Sequence, residues 1–412
     1  MNKNLLTVPP LSLYIHIPWC VEKCPYCDFN SHALKSKIPE QDYVQALIAD
    51  LDGDIARFDL KNRPLHSIFI GGGTPSLFSA QAIESLLSQV LSRFEHSASP
   101  DTPIEITLEA NPGTVEADKF IGFAKAGVNR LSIGVQSFES EKLVKLGRIH
   151  NVNQAKQAAQ LAKDSGVNSF NLDLMHGLPN QSLENALDDL KTAISLKPDH
   201  LSWYQLTIEP NTAFYSKPPK LPQDETLWNI QDQGFALLAE AGYQQYEISA
   251  FSLVSPEKDQ TKAHEKNKQC QHNLNYWRFG DYLGIGCGAH GKISDVATGL
   301  IQRTVKVKHP KGYLDPSRDP LDHLITVTSD ELPFEYMMNQ LRLFSSFTLD
   351  DYQQRTGLPA HTVLPILQQA QHKKLMSCTP SPLEKNALIK SAWQVTPLGH
   401  RYLNDLLELF LS

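Results

Sequence analysis

The sequence predicts an α/β fold: a partial (β/α)6 barrel of the TIM type with a small C-terminal helical or winged-helix-like domain. Six short runs rich in β-branched and aromatic residues lie between Leu13 and Ile208. Helical stripes of apolar residues separate them, and the alternation stops near residue 215. Repeated β-then-α units imply parallel strands joined by right-handed crossovers. A barrel is the most economical closure, with functional loops at the C-terminal ends of the strands. A doubly wound open sheet is the alternative that alternation alone leaves open.

The first strand is expected over 13–17. The second, 67–70, stops at a glycine triplet. The third, 103–109, alternates and breaks at Asn111-Pro112-Gly113. Runs 130–135, 168–175 and 200–208 supply the rest. After the first strand, Tyr43, Leu47, Leu51, Ile55 and Phe58 form an apolar stripe. Ile83, Leu86, Leu87, Val90, Leu91 and Phe94 form the next, with Ser79 as N-cap. Helices over 114–126, 151–165 and 182–196 complete the series, and Gly127 and Gly166 stand where C-caps fall.

Lys217-Pro218-Pro219-Lys220-Leu221-Pro222 is a stiff connection. A helix over 224–241 and a short strand around 245–249 follow. The polar stretch 255–271 reads as a mobile loop. Apolar helical runs resume near 331–346 and 361–377, and a small domain from Leu349 ends in 402–411. These breaks divide the chain into a barrel core (1–215), a barrel extension (216–330) and a C-terminal domain (331–412).

A net charge of −7 offers no basic face for nucleic acid. No stretch approaches the apolar length of a membrane span, and the opening MNKNLLTVPP lacks an export signal's apolar region. Of six cysteines, Cys20, Cys24 and Cys27 are clustered, while Cys270, Cys287 and Cys378 are scattered. Such a tight trio is no disulfide framework. The expectation is a soluble protein of a reducing compartment, the cytoplasm.

The trio has C-x3-C-x2-C spacing and directly follows the first strand. Three thiolates on one loop can hold a metal centre but leave one position short of four. A structural zinc closes with four protein ligands, and His32 is the available fourth. A [4Fe-4S] cluster with one open iron fits better, because the open site can take a small molecule.

With Tyr26 before the last cysteine, this spacing resembles the signature of the radical S-adenosylmethionine superfamily. The surrounding text, LYIHIPWCVEKCPYCDFNS, resembles the oxygen-independent coproporphyrinogen III oxidase subgroup, and within it the haem chaperones. The resemblance extends over essentially the whole chain. It implies that the open iron chelates S-adenosylmethionine, which the cluster cleaves reductively to an adenosyl radical.

Gly71-Gly72-Gly73-Thr74-Pro75 follows the second strand. Glycines let backbone approach a ligand closely, and the missing Lys-Ser/Thr excludes a P-loop. The resemblance implies that Gly72, Gly73 and Thr74 meet the cofactor's amino group. Glu109, Gln136, Arg148 and Asp173 lie at or after the ends of the third to fifth strands. A zwitterionic amino acid needs such partners: Arg148's planar fork suits its carboxylate and Glu109 its ammonium. Asp173, with Gln136 beside it, suits the ribose diol. The resemblance adds Tyr14 and, in the sixth strand, Thr207.

Two departures favour the haem chaperones over the oxidase. Phe29 stands where the oxidase carries a fourth cysteine, and only about a dozen residues precede the first strand, where the oxidase has an extension. The motif His272-Asn273-Leu274-Asn275-Tyr276-Trp277 then reads as a haem site, with His272 as axial ligand and Asn273, Tyr276 and Trp277 around the macrocycle. A polar loop packed on the barrel is the other reading of those residues. Cys270 is a second ligand candidate, and His290 stays unassigned. Cys287 and Cys378 read as ordinary cysteines.

The expected protein is a haem chaperone holding a [4Fe-4S] cluster with exchangeable S-adenosylmethionine. Its partners are haem, an acceptor protein and an electron donor. The alternatives are a radical oxidoreductase acting on coproporphyrinogen III or a related tetrapyrrole, and a barrel with a structural metal only.

Overall fold

The computed structural model describes residues 5–94, 103–114, 117–254, 268–381 and 387–411. Alternation along each barrel strand sorts side chains into two environments, because successive residues point to opposite faces. In β1 (Leu11–Ile17), Leu13, Ile15 and Ile17 join the apolar core, while Ser12, Tyr14 and His16 face the other way. The same division runs through β2 (Leu65–Gly72), β3 (Glu105–Ala110), β4 (Arg130–Gln136), β5 (Ser169–His176) and β6 (His200–Gln205). Ile106 and Leu108 are core residues, for example, while Glu105, Thr107 and Glu109 are not.

β1 to β6 pair in parallel and in chain order. A doubly wound sheet reverses its order at a switch point, so the sequential order settles the choice for the barrel-type fold. β7 (Tyr243–Glu247) and β8 (Ala250–Leu253) extend the β6 side antiparallel. On the other side β9 (Asp281–Ile285) pairs parallel with β1, followed by antiparallel β10 (His290–Asp295), β11 (Leu300–Lys306) and β12 (Leu321–Thr326). The sheet counts twelve strands among the described residues.

Helices Glu40–Arg57, Ala80–Leu91, Val152–Asp164 and Leu183–Ser195 cover the apolar face. Ser79 caps the second of these by accepting from Ala82 N. Asn151 and Ser182 form reciprocal capping boxes, and such a cap contributes about 1 kcal/mol.

Three expectations change. β6 ends at Gln205, which leaves Thr207 exposed beyond it. Of the presumed loop 255–271, residues 255–267 lie outside the described residues, and a helix, Gln271–Trp277, begins at its end. Its first N–H groups, on Gln271 and His272, donate to the Glu105 carboxylate at 3.1 Å each. That carboxylate satisfies donors a helix start otherwise leaves orphaned. The run 361–377 splits into a 3-10 turn, a helix at Leu364–His372 and the start of β13 (Met376–Thr379). β13 pairs antiparallel with β14 (Ala392–Val395). Tyr336, Phe347, Tyr352 and Trp393 centre this region's own apolar cluster, which also takes in Leu6, Phe279 and Ile301.

Lys306 joins β11 to helix Glu40–Arg57. Its fully buried ammonium donates to Asp50 and, at 2.7 Å, to Asp54. Removing one partner of a buried ion group strands the others, at a cost of about 3–5 kcal/mol. Lys306→Met is therefore expected to lower unfolding stability in urea by that amount. Adding Asp50→Asn and Asp54→Asn to it is expected to restore part of the loss.

Candidate functional site

A two-residue parallel ladder between Trp19–Cys20 and His32–Ala33 pinches off the cysteine loop. The glycine run lies against its base, with Gly73 N donating to Ile17 O at 2.7 Å and Thr74 N to Trp19 O at 2.8 Å. A Cβ on Gly73 would stand 2.5 Å from the Trp19 carbonyl oxygen. Gly72 has φ +111°, and a Cβ there would meet the His16 ring at 2.5 Å. Glycine is therefore required at Gly73 by close backbone approach and at Gly72 by its positive φ and the abutting His16 ring.

This packing leaves a cavity of about 290 Å³ at the C-terminal ends of the strands. Cys20, Cys24 and Cys27 line one side, with Gly72, Gly73 and Thr74 beside them. Glu109, Gln136, Arg148 and Asp173 line the rest. Thr207 is not part of the lining, and Tyr14 faces a neighbouring cavity. Ser132 and Tyr204 belong to the lining but were not identified from sequence. Both are inner-face residues of strands already located, so strand alternation was the signal for them.

Among the described residues no three His, Cys, Asp or Glu side chains are grouped to hold a single metal ion. His32 also turns away from the thiols: its Nε2 lies 3.2 Å from the Lys308 carbonyl and its ring abuts His309. His32 is therefore not placed to complete a four-ligand zinc site, whose ligands share one ion at about 2.0–2.3 Å. Three soft thiolates around a cavity suit a cluster that takes each on a different iron.

The other groups fit a zwitterionic ligand. Arg148 Nη2 donates to Gly134 O at 2.7 Å and Nη1 to Cys24 Sγ at 3.5 Å, while its buried Nε has no partner. Asp173 accepts from Ser132 Oγ at 2.9 Å and Asn171 Nδ2 at 2.8 Å. Gln136 has φ +68°, costly for a residue with a side chain, and Tyr204 Oη donates to its Oε1 at 2.8 Å. Glu109 accepts from Gly72 N at 3.0 Å. Burial, and then the Asp173 charge, push its acid up to about 8.

A second cavity, of about 790 Å³, shares Phe29, Ser31, Gly72 and Glu109 with the first. Tyr14, His16, His272, Tyr276 and Tyr282 line it further in, and His290 lines it at an exposed position. His272 and Tyr276 are four residues apart and so share a helix face. Asn273 and Trp277 are turned about 100° from them and are absent from the lining. Trp277 instead packs with Tyr246 and Leu343, beneath the Arg342 guanidinium at 4.3 Å.

His272 Nδ1 lies 3.2 Å from Ser67 Oγ, which is 2.8 Å from Ser12 Oγ. Asn275 Nδ2 donates to Ser12 at 2.8 Å. In the Nδ1–H tautomer Ser67 accepts and Nε2 keeps its lone pair. Burial lowers the imidazole to about 3, so the ring is neutral. Cys270 is less suited to the ligand role considered for it. Its thiol donates to Glu105 at 3.6 Å, burial pushes it up to about 12, and it does not line the cavity.

The fold and the thiol cavity define a radical SAM barrel. The model of the Radical SAM superfamily matches residues 14–193, and that of the HemN C-terminal domain matches 327–381. Along its length the chain is 54% identical over 409 residues to the heme chaperone HemW of Haemophilus influenzae, covering 98% of this chain and 99% of that one. It is 52% identical over 415 residues to the heme chaperone HemW of Escherichia coli, covering 99% and 100%. The chain belongs to the HemW family of the radical SAM superfamily. In fold it resembles the solved coproporphyrinogen III oxidase (HemN) of Escherichia coli, with a TM-score of 0.76 at 24% identity over 98% of this chain and 90% of that one.

Glu109 yields a pH prediction. With its acid near 8, the ligand-free carboxyl is largely protonated at neutral pH. An ammonium beside it would favour the ionised form, so S-adenosylmethionine seated with its ammonium there is expected to expel a proton on binding. Below about pH 7, where an α-ammonium stays charged, affinity is expected to rise with pH. Calorimetry in two buffers of different ionisation heat measures the released proton. Glu109→Gln is expected to abolish that release and weaken binding by ~1.5–3 kcal/mol. A wild type that releases no proton contradicts the assignment.

Proposed function

We propose that this protein is a haem chaperone, binding haem in the larger cavity and passing it to an acceptor protein. The carrying observation is His272: a buried, neutral imidazole on the lining of a cavity large enough for a sizeable ligand. Neutral imidazole is the form that ligates haem iron. A partner on the second ring nitrogen is the usual means of orienting such a ligand, and Ser67 stands in that place. Tyr276, Tyr282 and Tyr14 provide aromatic walls for a flat apolar macrocycle. The relatives named heme chaperone HemW support the same reading.

Cys20, Cys24 and Cys27 would hold a [4Fe-4S] cluster, and Gly72, Gly73, Thr74, Glu109, Gln136, Arg148 and Asp173 would seat exchangeable S-adenosylmethionine. Together these groups supply reductive one-electron chemistry when bound, drawing on an external electron donor. Arg148 orients a carboxylate, Glu109 accepts from an ammonium, and the Ser132–Asn171 pair fixes Asp173 for a diol. Six cysteines, none disulfide-bonded, suit the reducing cytoplasm. Among the described residues no helix is long and apolar enough to cross a membrane.

One observation favours the second reading, a radical oxidoreductase acting on coproporphyrinogen III or a related tetrapyrrole. The two cavities share a wall, so a ligand in the larger one would lie beside the cofactor site.

Anaerobically reconstituted protein is expected to bind haem one to one and to leave coproporphyrinogen III unchanged under reducing conditions. Decarboxylation of coproporphyrinogen would establish the second reading. His272→Ala is expected to change the Soret spectrum and weaken haem binding while iron and labile sulfide stay. Cys24→Ser is expected to lose iron and sulfide. An unaltered Soret band in His272→Ala would move the haem ligand elsewhere.

A further inference from the structure

The larger cavity is not uniform from mouth to interior. Its inner lining holds the neutral His272 and the tyrosines. Its exposed rim holds two lysines from distant parts of the chain, Lys23 in the cysteine loop and Lys308 just after β11. Both are anchored. The Lys308 carbonyl accepts from Asn30 Nδ2 at 2.9 Å and from Cys287 Sγ at 3.0 Å, which fixes the root of its side chain. Lys23 Nζ donates to the Phe29 carbonyl at 3.2 Å. Among the described residues neither ammonium has a carboxylate in ion-pair range.

At the rim the two lysines outnumber the one exposed carboxylate, Asp28. Lys308 repels a proton from His290, and Lys23 and His309 do the same to His32, each adding to the effect of burial. Two carboxyls line the same cavity. Asp28 is exposed, and Glu109 lies on the wall shared with the thiol cavity. A cavity with cations at the mouth and aromatic rings within matches a flat apolar ligand that carries carboxylates along one edge.

We propose that Lys23 and Lys308 form a carboxylate-binding rim that holds the two propionates of haem. The assignment rests on the haem reading above and adds an orientation to it. The propionate edge lies at the solvent mouth, and the opposite edge points inward. The contact is charge-assisted and partly solvated, so it is strong enough to orient the ligand and weak enough to be given up at hand-over.

The test compares haem with its dimethyl ester, which keeps the iron and macrocycle but has no carboxylates. Dissociation constants for both are measured by Soret titration in the same detergent, for wild type and for Lys23→Ala/Lys308→Ala. Wild type is expected to prefer the diacid by about tenfold, ~1.4 kcal/mol for the two contacts together. In the double variant the preference is expected to fall to about one. Lys23→Arg/Lys308→Arg is expected to restore it, and added salt to reduce it in wild type. Equal affinity of wild type for both ligands overturns the rim and leaves the haem reading standing. An undiminished preference in the double variant does the same. Failure of wild type to bind either ligand removes the haem reading, and the rim with it.

Discussion

Every buried polar group on the inner face of the β1–β6 sheet has to find a partner, and the internal arrangement of this protein follows from that constraint. Alternation delivers Ser12, Ser67, Glu105, Arg130, Ser132, Asn171, Asp173 and His200 to that inner face, where they are buried or nearly so. A buried polar group without a partner costs about 1–3 kcal/mol, against about 1 kcal/mol contributed by a formed hydrogen bond. The chain answers with a continuous network. Asp173 accepts from Asn171, whose Oδ1 lies 2.7 Å from His200 Nδ1. His200 Nε2 reaches Tyr246 Oη at 2.8 Å, and Tyr246 accepts from Cys270 N at 3.2 Å. Cys270 and the start of the Gln271–Trp277 helix end on Glu105.

The same network ties the two cavities together. One end is a side chain of the thiol cavity, and the other caps the helix that carries His272. The exceptions to satisfaction are informative. Arg148 Nε, Arg130 Nε and Thr107 Oγ1 are buried without a partner, and the first belongs to a residue that lines the thiol cavity. An orphaned donor there is what a site awaiting a carboxylate would carry.

Much of this was legible in the chain. The three cysteines and Arg148 follow strands that the β-branched runs mark, while the glycine run, Glu109, Gln136 and Asp173 lie in or at the C-terminal halves of such strands. Strand ends in a barrel of this kind converge on one face, and all of these residues line one cavity. The motif at 272–277 was legible as a pattern but not as a helix. Its cap, Glu105, lies 166 residues before Gln271, and no local spacing reveals a cap at that distance. The helix then divides the motif: His272 and Tyr276 reach the cavity, and Trp277 faces Arg342.

Thr207 and Tyr14 show the same division of labour. Strand propensity extends to Ile208, yet pairing with β5 stops at Gln205, because His176 is the last β5 residue available to pair. Tyr14 lies on the inner face as its parity requires, but its neighbours there are His16, Phe69 and His272. By itself the sequence determined the order of strands and helices, the polar parity of each strand and the C-x3-C-x2-C loop. All three are set by periods of two to four residues along the chain. Only the tertiary structure decided that the inner face opens into two adjoining cavities, which of them each side chain enters, and that Lys23 and Lys308 meet at one rim. Those outcomes depend on contacts between residues far apart in sequence, and such contacts exist only once the sheet has formed.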